Sequence, residues 1–322
     1  MADLIESKAT ATAEKFGVPR VYRAGDDLLD DPDVDAVVLA FPAATRTAMA
    51  LKAFARGKHV LTEKPVACTA DEVRRMIAAR GDLVAGCCSL RFGYYEHAKA
   101  AAAFLAARPL GDLRLVRARQ LVPGKAKPAT TPPPWRLRRD LNGGGILYNW
   151  GCYDLDYLLG LTGWTLKPRT VFAQAWSIPQ RFAAHVEADS DAEAYYTALV
   201  RCDGGTMLSL ERGEYMPAAA DAAWQIIGED GSLRLMMTPG DGKQLIHDEA
   251  TTDGVVSHVL WEGDEGWTGP HTDAPMRDFV DAIRDGRPPR TDLARSLVIQ
   301  EITDGIIASA ASGRCVEIGT SA

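Results

Sequence analysis

A lysine at the end of a short apolar run has the clearest chemical potential in this chain. Residues 59–62 form the run and lead into Glu63, Lys64 and Pro65. An open α/β sheet binds its ligand just beyond the carboxyl ends of its strands, and the proline biases Lys64 toward an extended backbone. Because partial burial lowers the pKa of a lysine, Lys64 could act there as a general acid or base. A surface lysine at a strand end is the alternative.

A second group of reactive side chains follows three glycines at 143–145, which permit a close backbone approach. Asn149, Tyr153 and Asp156 are spaced i, i+4 and i+7, which places them on one face of a predicted helix. Asn149 can only orient a hydroxyl. Tyr153, whose ordinary pKa is about 10, needs a nearby cation to act at neutral pH, and we expect Lys64 to lower its pKa. A buried, hydrogen-bonded Tyr153 and an Asp156 that orients its neighbours are the alternatives.

The elements before residue 92 alternate between helix and strand. A strand, a helix and a second strand that ends at Lys64 form a β-α-β unit, for which a right-handed crossover is expected. The Thr69 side chain is a predicted N-cap for the helix that follows it. The predicted helices span residues 4–16, 45–57 and 70–79, and the predicted strands span 36–41, 59–62 and 83–87.

The pattern after residue 92 is mainly that of a β domain. An alanine-rich helix at 94–107 precedes it, two helices at 273–285 and 292–312 close it, and a proline-rich loop covers 123–134. Predicted strands span residues 113–122, 170–178, 193–202, 207–215, 224–227 and 232–237. We therefore predict an α/β domain over residues 1–92, and an α+β domain over residues 93–322 with an open antiparallel sheet and helices on one face.

Composition excludes several classes of protein. The 322 residues, 47% hydrophobic and 25% charged, are typical of a globular protein large enough for two domains. A net charge of −7 without a basic stripe argues against a nucleic-acid partner. No apolar run reaches the roughly 18 residues of a membrane-spanning helix. The six cysteines lack metal-site spacing and suggest the reducing cytoplasm, and His97, His185, His258 and His271 are interpreted as structural or exposed.

Three groups of motifs, in order, resemble the Gfo/Idh/MocA oxidoreductase family. They are D-P-D-V-D-A-V, G-K-H-V and E-K-P within residues 31–65, the glycine-rich segment 143–156, which resembles G-G-G-x-L-x-D-x-G-x-H-x-x-D, and S-A-A-S-G-R-C-V at 309–316. The resemblance covers essentially the whole chain. It implies a Rossmann-like dinucleotide-binding domain, NAD or NADP as cofactor, and a sugar, glycoside or polyol as substrate.

The resemblance also assigns roles to residues. In the family, the positions of Asn149 and Tyr153 usually carry Asp and His, which handle the proton together with the lysine that matches Lys64. Lys64, Tyr153 and Asn149 are therefore the implied catalytic residues. The same three residues, with Trp135 and Arg136 from a W-R pair before the glycines, are the implied substrate-binding residues.

The implied cofactor contacts come from strand ends. Of the family's T-P-N-x-x-H motif only Pro42 is kept, and Arg46 stands where the histidine is usual. Asp3 matches an acid that meets the ribose, and Arg91 matches an arginine near cofactor and substrate. The implied cofactor-binding residues are Asp3, Phe41, Pro42, Glu63, Lys64 and Arg91.

The G-x-G-x-x-G turn of dinucleotide-binding domains does not occur in this chain. Aligned on the family's motifs, residues 1–4 match the end of the second strand, so the central first strand has no counterpart. Its loss would leave buried backbone groups unpaired, at about 1–3 kcal/mol each. We therefore expect residues 1–25 to be poorly anchored, rearranged or covered by another chain. A start shortened by about 25–35 residues, the size of a β-α unit, is favoured over a natural short form.

These observations favour an NAD(P)-dependent oxidoreductase of a sugar, glycoside or polyol hydroxyl. A catalytically silent sugar- or nucleotide-binding regulator and a nucleotide-independent lyase or hydrolase on the same scaffold are the alternatives. We also expect a homodimer or homotetramer through the antiparallel sheet, with Tyr195, Leu199, Leu208 and Leu210 against a partner's sheet. A monomer with a solvated face is the alternative.

Overall fold

The computed structural model describes residues 1–269 and 272–319. The helices in chain order are α1 (Glu6–Phe16), α2 (Gly25–Leu29), α3 (Ala43–Ala55), α4 (Ala70–Ala79), α5 (Glu96–Ala106), α6 (Arg139–Asn142), α7 (Cys152–Leu161), α8 (Ala274–Asp285) and α9 (Leu293–Ser312). The strands are β1 (Ala36–Leu39), β2 (His59–Thr62), β3 (Ala85–Cys87), β4 (Leu113–Pro123), β5 (Pro168–Ser177), β6 (Glu193–Cys202), β7 (Met207–Met216), β8 (Asp221–Gly228), β9 (Gly231–Leu235), β10 (Gly240–Thr251), β11 (Gly254–Glu265) and β12 (Val316–Glu317). None of the described helices is long and apolar enough to cross a membrane.

The first sheet is parallel and carries the lysine at its carboxyl edge. Its order is β1-β2-β3, and α3 connects the first two strands as the β-α-β prediction requires. Side chains alternate across β2, so that Val60 packs into the cluster beneath α3 and α4 whereas Leu61 packs with Phe279 of α8. Layers on both faces therefore fix the end of β2, just before Lys64. The domain boundary at residue 92 stays a prediction.

The outer edge of β1 is open among the described residues, because β1 pairs only with β2. The apolar side chains of Val38, Leu4 and Phe16 are 44%, 99% and 68% exposed. Residues 1–25 are held in place: the backbone N–H of Tyr22 donates to the carbonyl of Met1, and the Arg20 side chain pairs with the carboxylates of Asp31 and Asp33, which precede β1.

The second sheet has nine strands in the order β11-β10-β9-β8-β4-β7-β6-β5-β12. The sheet is open and mainly antiparallel, as predicted, and its one parallel pair in the described residues joins β4 and β7. The long connection after β4, which includes α6 and α7, allows β4 to lie between β7 and β8. The hairpin of β10 and β11 was not predicted. Much of β11 is exposed on both faces, so its sequence lacks the alternation that identifies a half-buried strand.

Helices α7 and α9 cover one face of this sheet. Leu208 and Leu210 of β7 are fully buried on that side, in the same cluster as α7 and α9. The prediction that both face a partner was wrong. Leu208 and Leu210 pair with Val200 and Ala198, the immediate neighbours of the exposed Leu199, and successive side chains of a strand point to opposite faces. The outer face instead carries Phe172, Trp176 and Leu199, which are 54%, 43% and 48% exposed.

Candidate active site

A cavity of about 410 Å³ opens where the carboxyl ends of the first sheet meet the segment that leads into α7. Its walls contain three of the predicted cofactor contacts, the predicted catalytic residues and three further aromatic residues. The lining residues are Glu63, Lys64, Arg91, Phe92, Asn149, Trp150, Tyr153 and Trp267. The cavity therefore brings together residues from both parts of the sequence.

Lys64 reaches across this cavity to Asn149. Its Nζ donates to the backbone carbonyl and to the side-chain Oδ1 of Asn149, at 2.9 Å each. Its backbone N–H donates to Oε2 of Glu63 at 3.1 Å. Burial lowers the pKa of Lys64. A lysine that is held by two acceptors and has a lowered pKa suits proton transfer.

The glycine-rich segment fixes Asn149 through the buried carboxylate of Glu193. Oε1 of Glu193 accepts the backbone N–H groups of Gly145 and Leu147, at 2.8 and 3.2 Å. A Cβ on Gly145 would lie 2.0 Å from the carbonyl oxygen of Glu193, so this close approach requires glycine. A π-helical turn, Leu147–Gly151, follows before α7 begins. Such turns often occur at functional sites, and this one carries the carbonyl that binds Lys64.

Tyr153 lies beside the lysine, but its electrostatics differ from the prediction. Its ring is 5% exposed and meets Phe92 edge-on at 5.1 Å, while Nζ of Lys64 lies 5.1 Å from the ring centroid. Burial raises the pKa of Tyr153 well above its ordinary value. The expectation that Lys64 lowers this pKa was wrong, because desolvation of the phenol is the largest effect. Tyr153 is therefore a neutral phenol at neutral pH, which can donate a proton.

Two tryptophans from distant parts of the chain complete the walls. Trp150 stacks on Phe92 at 6.0 Å, and Trp267 meets the same ring edge-on at 6.1 Å. Sequence reasoning missed Trp267, because it follows an unpredicted strand and no local pattern marks it. Glu265 anchors that strand end by accepting the backbone N–H of Glu96 at 2.7 Å.

Arg46 is a second residue whose role the sequence did not reveal. It is 3% exposed, and its guanidinium donates to the carbonyl of Glu63 at 2.6 Å and to the carbonyls of Phe41 and Pro65. These carbonyls lie at the carboxyl ends of β1 and β2. Arg46 therefore joins the two strand ends and positions the turn that carries Lys64. A helix arginine normally indicates an exposed face, which is why its burial was not expected.

Asp156 is buried behind the cavity, where Ser89 donates a hydrogen bond to its carboxylate. This arrangement agrees with the interpretation that Asp156 orients its neighbours. Burial raises its pKa to about 6.

The raised pKa of Asp156 predicts a pH dependence of stability. Between pH of about 4 and 6 the folded chain holds a proton that the unfolded chain releases, so the free energy of unfolding falls as pH rises. Two pKa units correspond to at most about 3 kcal/mol. Asp156→Asn should remove this slope, as urea unfolding of both proteins at pH 4, 5, 6 and 7 would measure. Parallel curves for the two proteins would contradict the assignment.

Other predicted site residues do not line the cavity. Asp3 is exposed, and its Oδ1 accepts the backbone N–H of Ile5 at 2.8 Å. Phe41 and Pro42 follow β1 without reaching the lining. Trp135, in the loop before α6, is 40% exposed. These roles remain predictions.

Arg136 is close to the site but is already paired. Its Nη2 donates to Oε2 of Glu214 at 2.5 Å, and both side chains are largely buried. Its positive charge contributes to the lowered pKa of Lys64, after the larger effect of burial. A direct contact of Arg136 with substrate remains a prediction.

Within residues 1–269 and 272–319, no group of three or more His, Cys, Asp or Glu side chains could hold a metal ion. His97 is buried and pairs with Glu265, and the exposed His258 lies 3.1 Å from Glu249. The fourth histidine considered above, His271, lies outside the described residues.

Comparison with known sequences defines the class of protein. Residues 2–82 match the family described as "Oxidoreductase family, NAD-binding Rossmann fold", and residues 98–234 match the family described as "GFO/IDH/MocA C-terminal domain". The chain therefore belongs to the Gfo/Idh/MocA oxidoreductase family, as its motifs indicated.

Individual relatives and solved structures agree with this class. The chain is 28% identical to a dTDP-3,4-didehydro-2,6-dideoxy-alpha-D-glucose 3-reductase from Streptomyces violaceoruber, over 88% of this chain and 77% of the relative. It is 26% identical to a D-xylose 1-dehydrogenase (NADP(+)) 2 from Haloferax volcanii, over 97% of this chain and 89% of the relative. The structure of levoglucosan dehydrogenase in complex with NADH and levoglucosan has a TM-score of 0.82 at 22% identity, over 99% of this chain and 90% of that chain. This last likeness shows the fold alone.

Proposed function

We propose that this chain is an NAD(P)-dependent dehydrogenase or reductase that acts on a hydroxyl or carbonyl carbon of a sugar, glycoside or polyol. The observation that carries the proposal is the bond from Nζ of Lys64 to Asn149 beside the neutral phenol of Tyr153, in one cavity at the carboxyl edge of the first sheet. The family and the names of the relatives, which act on sugars, support the substrate class.

The site residues have distinct roles in each direction. For reduction, Tyr153 donates its proton to the oxygen of the substrate carbonyl as that oxygen gains negative charge, and Lys64 stabilises the charge. For oxidation, the amine of Lys64, whose pKa burial lowers, accepts the hydroxyl proton. Asn149 orients the amine of Lys64 through its Oδ1. The ring faces of Trp150 and Trp267 suit the C–H face of a sugar.

The described residues fit one end of the cofactor better than the other. When bound, NAD or NADP supplies or accepts the hydride. Glu63 and Lys64 would lie near its nicotinamide end, at the strand ends that Arg46 holds together. No glycine-rich turn for a pyrophosphate occurs in the sequence. The predicted ribose contact, Asp3, is exposed, and its Oδ1 accepts the backbone N–H of Ile5.

A titration followed by a turnover assay tests this function. We expect NADH or NADPH to quench the fluorescence of the protein saturably, because Trp150 and Trp267 line the cavity. We also expect at least one member of a panel of monosaccharides and polyols to reduce NAD or NADP. Saturable binding of sugar without turnover would instead support a regulator. Product formation without any nucleotide, bound or added, would support a lyase or hydrolase.

We propose that copies of this chain associate through the outer face of the second sheet. Tyr195 and Trp176 stack there at 4.7 Å, next to the exposed Phe172 and Leu199. An apolar patch of this kind suits a partner's sheet. Sedimentation that shows only the monomer mass would exclude this association.

We place the enzyme in the cytoplasm, because all six cysteines are free thiols.

A further inference from the structure

The cavity contains an arginine that has no hydrogen-bond or ion-pair partner among the described residues. Arg91 lines the wall next to Phe92 and is partly buried. No hydrogen bond or ion pair joins its guanidinium to any residue in 1–269 or 272–319. A guanidinium has five N–H donors and stays charged, so the guanidinium of Arg91 can bind an anion that enters the cavity. An unpaired arginine of this kind indicates a ligand group that is absent from the protein itself.

The other arginines around the site are already engaged. Arg136 pairs with Glu214, and Arg212 makes two bonds of 2.6 Å to Asp154. Arg46 donates to three backbone carbonyls. Of these four arginines, only Arg91 has no hydrogen-bond or ion-pair partner within the described part of the chain.

The charge of the cavity wall supports the same conclusion. Two cations, Lys64 and Arg91, and one carboxylate, Glu63, give a formal charge of +1 to the lining. The whole chain has a net charge of −7. A positive cavity in an acidic protein attracts an anion to that place and not to the rest of the surface.

We propose that the substrate is an anionic sugar whose carboxylate or phosphate group binds Arg91. This inference rests on the proposed function and narrows its substrate class. The planar fork of a guanidinium binds two oxyanion oxygens at once, with charge-assisted hydrogen bonds. The aromatic walls of Trp150 and Trp267 then hold the apolar face of the ring, while Lys64 and Tyr153 face the reacting hydroxyl. Arg91 had been predicted as a cofactor contact; here it determines substrate specificity.

Binding of matched sugars tests the proposal without requiring turnover. D-glucuronate and D-glucose 6-phosphate would be titrated against D-glucose in the presence of saturating cofactor, with tryptophan fluorescence as the readout. We expect at least one of the two anions to bind about tenfold or more tightly than glucose, and the difference identifies which anion is preferred. Arg91→Gln should lower the affinity for the preferred anion to about that for glucose. Arg91→Lys should keep part of it.

A matched control and a cofactor titration separate the possible results. Arg284→Gln removes an exposed arginine on α8. It should change neither the affinity for glucose nor the affinity for the two anionic sugars. Equal affinities for glucose and both anions, or a preference that survives Arg91→Gln, would overturn the proposal. A loss of NADH or NADPH affinity in Arg91→Gln, without a change in sugar preference, would also overturn it by assigning Arg91 to the cofactor.

The outcomes of this inference and of the proposed function are distinguishable. Turnover of neutral sugars without any preference for anions would leave the dehydrogenase and reject the acidic substrate. Anion binding that depends on Arg91, without turnover of any sugar tested, would support the anion-binding site and contradict the proposed dehydrogenase activity.

Discussion

Lys64→Met is expected to lower kcat by about a thousandfold or more, while the chain stays folded. Methionine keeps the length and apolar character of the stem but removes the amine that donates 2.9 Å bonds to Asn149. Loss of a positioned acid or base typically lowers the rate by about 10²–10⁴-fold. Here the positive charge beside the reacting oxygen is lost as well. Steady-state turnover of an active sugar with saturating cofactor measures the effect.

Controls separate chemistry from folding. Lys167→Met removes an exposed lysine between α7 and β5 and should leave kcat unchanged. Circular dichroism and the urea midpoint of Lys64→Met should stay close to those of the parent protein. Turnover within tenfold of the parent would contradict the role of Lys64.

The pH dependence of oxidation provides a second check on Lys64. Because the neutral amine is the base, the rate of oxidation should fall as pH drops below the lowered pKa of Lys64. Asn149→Ala should weaken catalysis less than Lys64→Met, because it removes one of two acceptors and leaves the amine in place.

Local sequence signals predicted the elements that carry the lysine. The strand β2 and the helix α4 have the predicted bounds, because an apolar run ends at Glu63 and the Thr69 hydroxyl accepts the N–H of Glu72 as an N-cap should. Such signals are contained within a few residues of the chain. The same holds for the glycine-rich approach to Asn149.

Contacts between distant segments could not be predicted in the same way. Trp267 reaches the cavity only because β11 ends beside α5, and a pattern of exposed residues gave no sign of that strand. The burial of Arg46 depends on three carbonyls that meet only after β1 and β2 pair. The pKa of Tyr153 depends on how completely aromatic neighbours exclude water, which spacing alone does not determine. These properties arise from packing.

A buried ion pair behind the cavity should be essential for stability. Asp154 of α7 and Arg212 of β7 are 2% and 4% exposed, and two bonds of 2.6 Å join them. Arg212→Met would leave the carboxylate of Asp154 buried without a counter-ion. We expect the free energy of unfolding to fall by about 3–5 kcal/mol. Urea unfolding monitored by circular dichroism measures this change.

The double variant Asp154→Leu/Arg212→Met distinguishes an unpaired charge from lost packing. Removing both charges should restore most of the stability, because no buried ion then remains unpaired. Arg169→Met is a matched control: its pair with Asp203 has the same two-bond geometry but is exposed, so its loss should change the free energy of unfolding little. Equal losses at the buried and exposed pairs would contradict the role of burial.

The same pair connects stability to the site through Trp150. The guanidinium of Arg212 lies 4.7 Å from the centroid of the Trp150 ring, a cation–π distance, and Trp150 forms a wall of the cavity. The double variant Asp154→Leu/Arg212→Met folds without this guanidinium, so the Trp150 ring loses its cation–π contact. We therefore expect a higher KM for the sugar with a smaller change in kcat, because Trp150 holds the substrate and Lys64 remains in place. An unchanged KM would show that the neighbouring Phe92 alone positions the ring.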